Sequence, residues 1–311
     1  MIMQQIRIKK EEAGQRLDKY LKKYLSAATG GFIYKMLRKK NITLNSSRSD
    51  GSDILNTDDV ISFFFSEETY EKMRGKAPDR SKEKWEGAEP QIIYEDADII
   101  IVDKPSGLMS QGDQSGKPSV NDWLKIYCGN EADDASAFRP SVCNRLDTNT
   151  SGLLLCARTY RGSRFLSDII KDRKLKKYYV ALAEGRMEGS AVLEGIWHKD
   201  TKNNTVRITP LPKGGKVNED KEHYVKTAYR VLEQRGGYTL LEVELFTGRS
   251  HQIRAHLSSI GHPLAGDIKY GAHPYKGMAT QRLKAYKLVF PILKGDFEHL
   301  SGKEFIAKWD M

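Results

Sequence analysis

One short stretch of the chain, residues 144–153, contains residue types that could do chemistry. It reads Asn-Arg-Leu-Asp-Thr-Asn-Thr-Ser-Gly-Leu and leads directly into the apolar run 153–156. Its acid, Asp147, lies on a turn before a predicted buried strand, where a covalent or electrostatic catalyst could be held rigidly. The alternative is an Asx-turn, in which Asp and Thr side chains satisfy the loop backbone. On these ten residues alone, that structural interpretation is favoured.

A second stretch, Thr247–Leu257, places basic and amide side chains in the first turns of a predicted helix. Acids are preferred there, because the helix dipole is positive at its N-terminus. We therefore expect an anion nearby, either a nucleic-acid phosphate or a partner carboxylate. His251 and His256 point to different faces and have no acidic companion, so we predict no zinc or other metal site and assign both to packing or hydrogen bonding.

The composition restricts the class of protein. The chain has 311 residues, 39% of them hydrophobic, and a formal net charge of +10, which suits a soluble protein of two domains. Such a net charge is typical of proteins that bind nucleic acid, although a basic surface that contacts only solvent would give the same net charge. We find no run of about 18 apolar residues and no secretory signal, so we expect no membrane partner. The cysteines show no CxxC pair, which predicts a reducing compartment, the cytoplasm.

Periodicity divides the chain into three parts. Residues 1–66 show two amphipathic helices and short strands, which predicts a small α+β module. Residues 67–88 are charged and almost without apolar side chains, so we predict a flexible linker. Residues 89–311 predict an α+β domain with a mixed, largely antiparallel sheet and flanking helices. The second helix of the module carries a basic outer face formed by Lys35, Arg38, Lys39 and Lys40.

The elements of the larger domain follow from the same patterns. A hairpin is predicted over residues 92–102, and the sequence Lys-Pro-Ser-Gly at 104–107 ends it. A helix is predicted around 165–170, and another from about 250 to Gly261. Further strands are predicted at residues 178–183, 206–208, 224–231 and 238–246.

Four ordered segments make the chain resemble the RluA-type RNA pseudouridine synthases, in the branch that acts on large-subunit ribosomal RNA. They span most of residues 91–272 and are residues 94–108, residues 145–153, residues 177–181 and residues 247–267. The N-terminal module resembles the alpha-L RNA-binding fold, opening with residues 14–18. It departs from that pattern at residues 29–31, where Thr-Gly-Gly replaces the usual Ser-Arg pair.

The resemblance implies a mechanism. Asp147 would be the catalytic carboxylate of a reaction that detaches uracil from C1′ of a ribose, turns it over and rejoins it through C5. It would act either by attacking C1′ or by removing a sugar proton, and no cofactor is needed. Arg254 would pair with Asp147 and keep it ionised. Tyr179 would stack on the target base and could transfer a proton, although an aromatic residue in a strand is more often simply core. Ile253 would pack behind that ring.

The resemblance also implies how RNA is held. Arg145 would fill the space that the flipped uridine leaves, whereas without the resemblance it would be an ordinary ion-pair partner. Two positions depart from the commonest family pattern, since Asn144 and Gln111 replace His residues. Both can hydrogen-bond, so we expect their loops to be supported. Backbone phosphates would be gripped by the module's basic helix and by Lys174, Lys176, Lys177 and Arg249.

The sequence leaves several hypotheses open. The leading one is a monomeric RNA pseudouridine synthase that acts on 23S ribosomal RNA, with transfer RNA as the alternative substrate. The second hypothesis belongs to another functional class: a non-catalytic RNA-binding or ribosome-assembly factor that keeps the fold. A glycosidase with paired carboxylates is disfavoured, because no second acid occurs in a comparable setting.

Overall fold

A computed structural model describes residues 2–75, 84–129, 137–211 and 223–309. Their elements fall into a small N-terminal module and a larger domain. The helices are α1 Leu17–Tyr24, α2 Gly30–Arg38, α3 Glu67–Arg74, α4 Val120–Tyr127, α5 Tyr160–Lys171 and α6 Gln252–Ser259. The strands are β1 Ile2–Arg7, β2 Ile42–Leu44, β3 Val60–Phe65, β4 Gln91–Glu95, β5 Ile99–Lys104, β6 Ser141–Val142, β7 Ser151–Ala157, β8 Lys176–Glu184, β9 Ser190–Asp200, β10 Thr205–Thr209, β11 Tyr224–Arg235, β12 Tyr238–Leu245, β13 Leu283–Val289 and β14 Glu304–Ile306.

The N-terminal module packs α1 and α2 on an antiparallel sheet with the order β1-β3-β2. The amphipathic helices bury their apolar faces in one core with β3, where Leu17, Leu21 and Phe63 are fully enclosed. The hydroxyl of Thr29 caps α2 by accepting a hydrogen bond from the amide of Phe32 at 3.2 Å. Of the basic side chains that the sequence placed on the outer face of α2, Lys35 and Arg38 lie on the helix, whereas Lys39 is its C-cap and Lys40 follows its end. All four are exposed, and we refer to them together as the basic face of α2.

The prediction of a flexible linker from residue 67 is wrong for the first residues of that segment, which form α3. Ser66 caps this helix, and acidic residues occupy its first turn, where the helix dipole favours them. Tyr70 is buried, and its hydroxyl lies 2.6 Å from the hydroxyl of Tyr24. One buried aromatic anchors an otherwise charged helix, which explains why composition indicated a linker. Residues 76–83 of the predicted linker lie outside the described residues.

The larger domain is built on a mixed sheet, as the sequence predicts. Among the described residues, eleven strands form it, with the order β10-β9-β11-β12-β8-β13-β7-β5-β4; β14 pairs with β13, and β6 pairs with β7. Neighbouring strands are antiparallel except β7 and β13, which run parallel. Helices cover both faces near β5 and β7, which explains the continuous apolar runs of these strands. Ile100 and Leu154 pack with α4 and α6, whereas Ile101 and Leu155 pack with α5.

The module is docked on the larger domain through polar contacts. The guanidinium of Arg164 donates to the carbonyl of Gly14 at 3.0 Å, and the amide of Arg161 donates to the carbonyl of Glu11 at 3.0 Å. In the described ranges, no helix combines the length and the apolar character needed to cross a membrane.

Candidate active site

A cleft of about 1190 Å³ opens where the β6–β7 loop faces the start of α6. It is lined by Asp147, Tyr179 and Arg254, which the sequence assigns to catalysis. The structure therefore brings together side chains that are up to 107 residues apart in the chain. It also places on the cleft wall Arg145, Lys177, Arg249 and Ile253.

The loop that carries Asp147 is held by a buried lysine. Lys104 is fully buried, and its ammonium donates to the carbonyls of Pro105, Leu108 and Thr148 at 3.0, 2.6 and 2.9 Å. Burial lowers the pKa of Lys104 to about 8, although the charge of Asp147 acts in the opposite direction. The ammonium thereby ties the Lys-Pro-Ser-Gly turn to the loop that carries Asp147.

A second set of contacts fixes the same loop. Ser110 both donates to the carbonyl of Leu146, at 2.9 Å, and accepts from its amide, at 3.0 Å. Asn144 accepts a hydrogen bond from the amide of Leu155 at 2.9 Å, so the amide side chain supports the loop at this position. Gln111 lines the cleft and is exposed.

A glycine allows the strand after this loop to approach its neighbour. Gly152 has a φ of +114°, and a Cβ there would lie 2.1 Å from the carbonyl oxygen of Ala285 in β13. No other residue type fits this approach, because both the backbone conformation and the space exclude a side chain. Gly152 is thus the second residue of β7 and lies two residues after Thr150, whose amide closes the loop turn on the carbonyl of Asp147.

The carboxylate of Asp147 is bound by a guanidinium. Arg254 donates from Nη1 to Oδ2 of Asp147 at 3.0 Å, and the carboxylate is 24% exposed. The Asx-turn alternative is not observed, since the amide of Thr150 bonds the backbone oxygen of Asp147 rather than its side chain. Within the described residues, no donor lies within hydrogen-bonding distance of Oδ1. Arg254 therefore holds one carboxylate oxygen, the other accepts no hydrogen bond from the described residues, and the side chain as a whole lines the cleft.

Arg254 is itself oriented by a second, deeper carboxylate. Asp267 is 2% exposed and accepts from Nε and Nη2 of Arg254 at 2.7 and 2.8 Å. The ring of Tyr270 lies 4.8 Å from the guanidinium carbon. Burial opposes the charge of Arg254, but the bonds to Asp267 and the charge of Asp147 outweigh it and raise its pKa. The anion expected beside this helix start is thus a pair of carboxylates.

Tyr179 forms part of the apolar wall of the cleft. It lies in β8, is 6% exposed and packs in the same core as Ile253. Burial raises the pKa of its hydroxyl, and the charge of Asp147 acts in the same direction, so the phenol is neutral. A ring at this position can stack on a planar base that enters the cleft.

The cationic residues lie in two places. Arg145 is exposed at the cleft, and burial lowers the pKa of Lys177 on the cleft wall. The basic outer face of α2 does not line the cleft; its cations are exposed on the module instead. Among the described residues, no group of three or more His, Cys, Asp or Glu side chains is placed to hold a metal ion.

Sequence reasoning gave no role to three residues that build the site, namely Lys104, Asp267 and Tyr270. The first two belong to segments that carry the family resemblance, but only the fold shows their contacts with the cleft. Tyr270 follows α6 in a short 3-10 helix at Ile268–Tyr270, and nothing in the local sequence indicates its position below Arg254.

Comparison with known proteins identifies the class to which this fold and cleft belong. The sequence model of the RNA pseudouridylate synthase family matches residues 98–259, just over half of the chain. The chain therefore belongs to this family, and it is an RNA pseudouridine synthase, an isomerase. This confirms the family that the sequence resemblance indicated.

Curated relatives match over most of their length. An uncharacterized RNA pseudouridine synthase of Mycoplasma genitalium is 31% identical over 92% of this chain and 89% of its own. Ribosomal large subunit pseudouridine synthase C of Vibrio parahaemolyticus is 30% identical over 98% of this chain and 91% of its own. Ribosomal large subunit pseudouridine synthase D of Borreliella burgdorferi is 31% identical over 70% of this chain and 64% of its own.

Solved structures share the fold. Human RNA pseudouridylate synthase domain containing 4 superposes with a TM-score of 0.56, at 22% identity over 71% of this chain and 88% of that one. Human RNA pseudouridylate synthase domain containing 1 gives a TM-score of 0.52, at 20% identity over 73% of this chain and 94% of that one. The mixed sheet with flanking helices is therefore the fold of known pseudouridine synthases.

Proposed function

We propose that this enzyme isomerises uridines of large-subunit ribosomal RNA and that Asp147 is its catalytic carboxylate. One observation carries the assignment of the carboxylate. Arg254 holds Oδ2 at 3.0 Å, while Oδ1 accepts no hydrogen bond from the described residues and the side chain of Asp147 lines the cleft. A charged oxygen without a protein donor is the group that can react with a sugar.

The chemistry needs no external group. The bond from N1 of uracil to C1′ breaks, a bond from C5 to C1′ forms, the proton on C5 leaves, and N1 gains a proton. Oδ1 of Asp147 starts the sequence, either by attacking C1′ or by taking a proton from the sugar. Arg254 stabilises the charge on Oδ2 in both cases.

The apolar wall positions the detached base. Tyr179 stacks on uracil, and Ile253 packs in the same core behind the ring. The detached base must stay near C1′ while it turns, and a flat aromatic face can hold it there. Arg145 is exposed at the mouth of the cleft, where a guanidinium can occupy the gap that the flipped nucleotide leaves.

Two observations support a ribosomal substrate. The relatives from Vibrio parahaemolyticus and Borreliella burgdorferi are named ribosomal large subunit pseudouridine synthases. The N-terminal module, which we propose is an alpha-L RNA-binding domain, exposes Lys35, Arg38, Lys39 and Lys40 outside the cleft. Such a surface would bind phosphates some distance from the target uridine and favour a long, structured RNA.

The test is to map pseudouridine in transcribed 23S ribosomal RNA and transfer RNA after incubation with wild-type enzyme, Asp147→Asn and Asp168→Asn. Asp168 lies exposed on α5, so its variant makes the same chemical change away from the cleft. We expect pseudouridine in 23S RNA with wild type and Asp168→Asn and none with Asp147→Asn, which should still bind RNA. Equal modification by wild type and Asp147→Asn would refute the catalytic assignment. Modification of transfer RNA alone would refute the ribosomal one.

A second measurement tests the module. The logarithm of the RNA affinity falls as the logarithm of the salt concentration rises. The double variant Lys35→Gln/Lys39→Gln should make this negative slope shallower by about 0.9 for each phosphate contact that is lost. The matched variant Lys294→Gln/Lys308→Gln removes two exposed charges from the larger domain and should leave that slope unchanged. Equal slopes for the two double variants would exclude the basic face of α2 from the RNA interface.

A further inference from the structure

His251 occupies an unusual position beside the proposed catalytic carboxylate. It has a φ of +55°, in the left-handed region, directly before α6. Residues other than glycine seldom adopt this conformation, and such strain is concentrated at functional sites. The side chain is 13% exposed, and its Nε2 lies 3.9 Å from Oδ2 of Asp147. The strained backbone thus aims an imidazole at the oxygen that Arg254 also holds.

The other ring nitrogen of His251 is engaged by Tyr270. Its Nδ1 lies 2.8 Å from the hydroxyl of Tyr270, and the two rings meet edge to face at 87°. The same hydroxyl accepts a hydrogen bond from the amide of Val206 in β10 at 2.9 Å. A phenol has one proton to donate. Among the described residues, Nδ1 of His251 is the acceptor that lies within reach of this proton.

These contacts determine the tautomer. If the hydroxyl of Tyr270 donates to Nδ1, the neutral imidazole carries its proton on Nε2, which faces Asp147. Burial lowers the pKa of His251, and the nearby cations Arg254 and Lys269 act in the same direction, while the charges of Asp147 and Asp267 oppose them. The neutral form of the ring is therefore favoured, and its Nε2–H faces the carboxylate at 3.9 Å, beyond hydrogen-bonding distance.

We propose that His251 is a positioning residue whose Nε2–H becomes a second donor to Oδ2 of Asp147 when RNA fills the cleft. The inference rests on the proposed role of Asp147. Closing the 3.9 Å separation to a hydrogen bond requires a movement of about 1 Å. With Arg254 and His251 both on Oδ2, the carboxylate cannot rotate, and Oδ1 stays aimed at the sugar. The Val206–Tyr270–His251 chain thereby connects the β9–β10 hairpin to the reacting carboxylate.

Two isosteric substitutions separate the two ring nitrogens. In His251→Gln the amide nitrogen takes the place of Nε2, whereas in His251→Asn it takes the place of Nδ1. We expect His251→Gln to keep most of the single-turnover rate at saturating RNA. His251→Asn and Tyr270→Phe should be slower by about 10- to 100-fold, the loss of one charge-assisted hydrogen bond. Asn tolerates the left-handed backbone better than Gln, so a purely structural role predicts the opposite order.

A spectroscopic measurement is independent of activity. The ¹⁵N chemical shifts of His251 in the free wild-type enzyme should report the neutral tautomer protonated on Nε2, and Tyr270→Phe should shift it toward a mixture. A proton on Nδ1 in the wild type, or equal rates for His251→Asn and His251→Gln, would overturn the inference. If either occurs while Asp147→Asn is inactive, the proposed function stands and this inference alone fails. If Asp147→Asn is as active as the wild type, the proposed function itself fails.

Discussion

The substitution Asp267→Asn tests whether a carboxylate outside the reacting group controls the site. Asp267 binds the far edge of Arg254 through two hydrogen bonds and does not line the cleft. Asn keeps the shape of the side chain but loses the charge, and its amide group turns one acceptor into a donor that faces guanidinium N–H groups. The substitution therefore disturbs Arg254 without touching substrate.

The expected loss of folding stability follows from the burial of Asp267 and Arg254. Asp267 and Arg254 are 2% and 7% exposed, and breaking such a pair by removing one partner costs about 3–5 kcal/mol. We expect the lower end, about 3 kcal/mol, because Arg254 keeps its contact with Asp147. A guanidinium that is free to rotate also holds Oδ2 less well. A loss of orientation of this kind slows the chemical step by about 100-fold.

Two assays separate these effects. Urea denaturation gives the free energy of unfolding, and single-turnover formation of pseudouridine at saturating RNA gives the chemical rate. The matched control is Asp98→Asn, because Asp98 also binds an arginine with both oxygens, from Nε and Nη2 of Arg161 at 3.1 and 2.5 Å, away from the cleft. The Asp98→Asn enzyme should have a lower free energy of unfolding than the wild type but form pseudouridine at the wild-type rate. An Asp267→Asn enzyme with the wild-type rate would refute the claim that Asp267 positions Arg254.

Three further predictions concern the scaffold. Gly152→Ala should destabilise the fold by more than about 3 kcal/mol, since its Cβ would meet backbone at 2.1 Å, whereas Gly189→Ala, with open space, should cost only about 1 kcal/mol in urea denaturation. Lys104→Met should lower stability by about 2–4 kcal/mol in the same assay, because the carbonyls of Pro105, Leu108 and Thr148 lose the buried ammonium that joins them; a smaller loss would show that water replaces it. Burial lowers the pKa of His256 to about 4. Between pH 6.5 and 4, His256 therefore binds a proton in the unfolded chain but not in the folded chain. Stability should fall by about 3 kcal/mol from pH 6.5 to 4, and His256→Asn should show a smaller fall; equal falls would contradict the assignment.

Elements with a regular apolar period were predictable from the sequence. The amphipathic helices α1, α2 and α5 bury the faces that their spacing indicates, and the hairpin β4–β5 forms where alternation and turn residues meet. Strand β13 was not predicted. Its pairing with β8 is interrupted by an irregularity between Ala285 and Lys287, which shifts the side chains by one position and removes the simple alternation on which strand prediction depends.

The contacts of the site were predictable only in part. The sequence indicated that Asp147 and Arg254 belong together through family resemblance, because no local rule connects residues 107 positions apart. Lys104 was identified only as part of a turn, and its burial under three carbonyls arises from the packing of that turn against the Asp147 loop. Helix α3 was hidden because one buried aromatic, Tyr70, outweighs a charged composition.

One guanidinium is shared between two carboxylates, and this sharing bears on the reactivity that we propose for Asp147. A one-to-one pair between Arg254 and Asp147 would neutralise the carboxylate and weaken it as a nucleophile or base. Asp267 instead takes the two shorter bonds to Arg254, at 2.7 and 2.8 Å, and leaves a single bond of 3.0 Å for Asp147. The three groups together carry one excess negative charge, and the deeper carboxylate is buried. Asp147 is the carboxylate of the pair that lines the cleft, so in the proposed mechanism the excess charge would meet a sugar carbon or proton there.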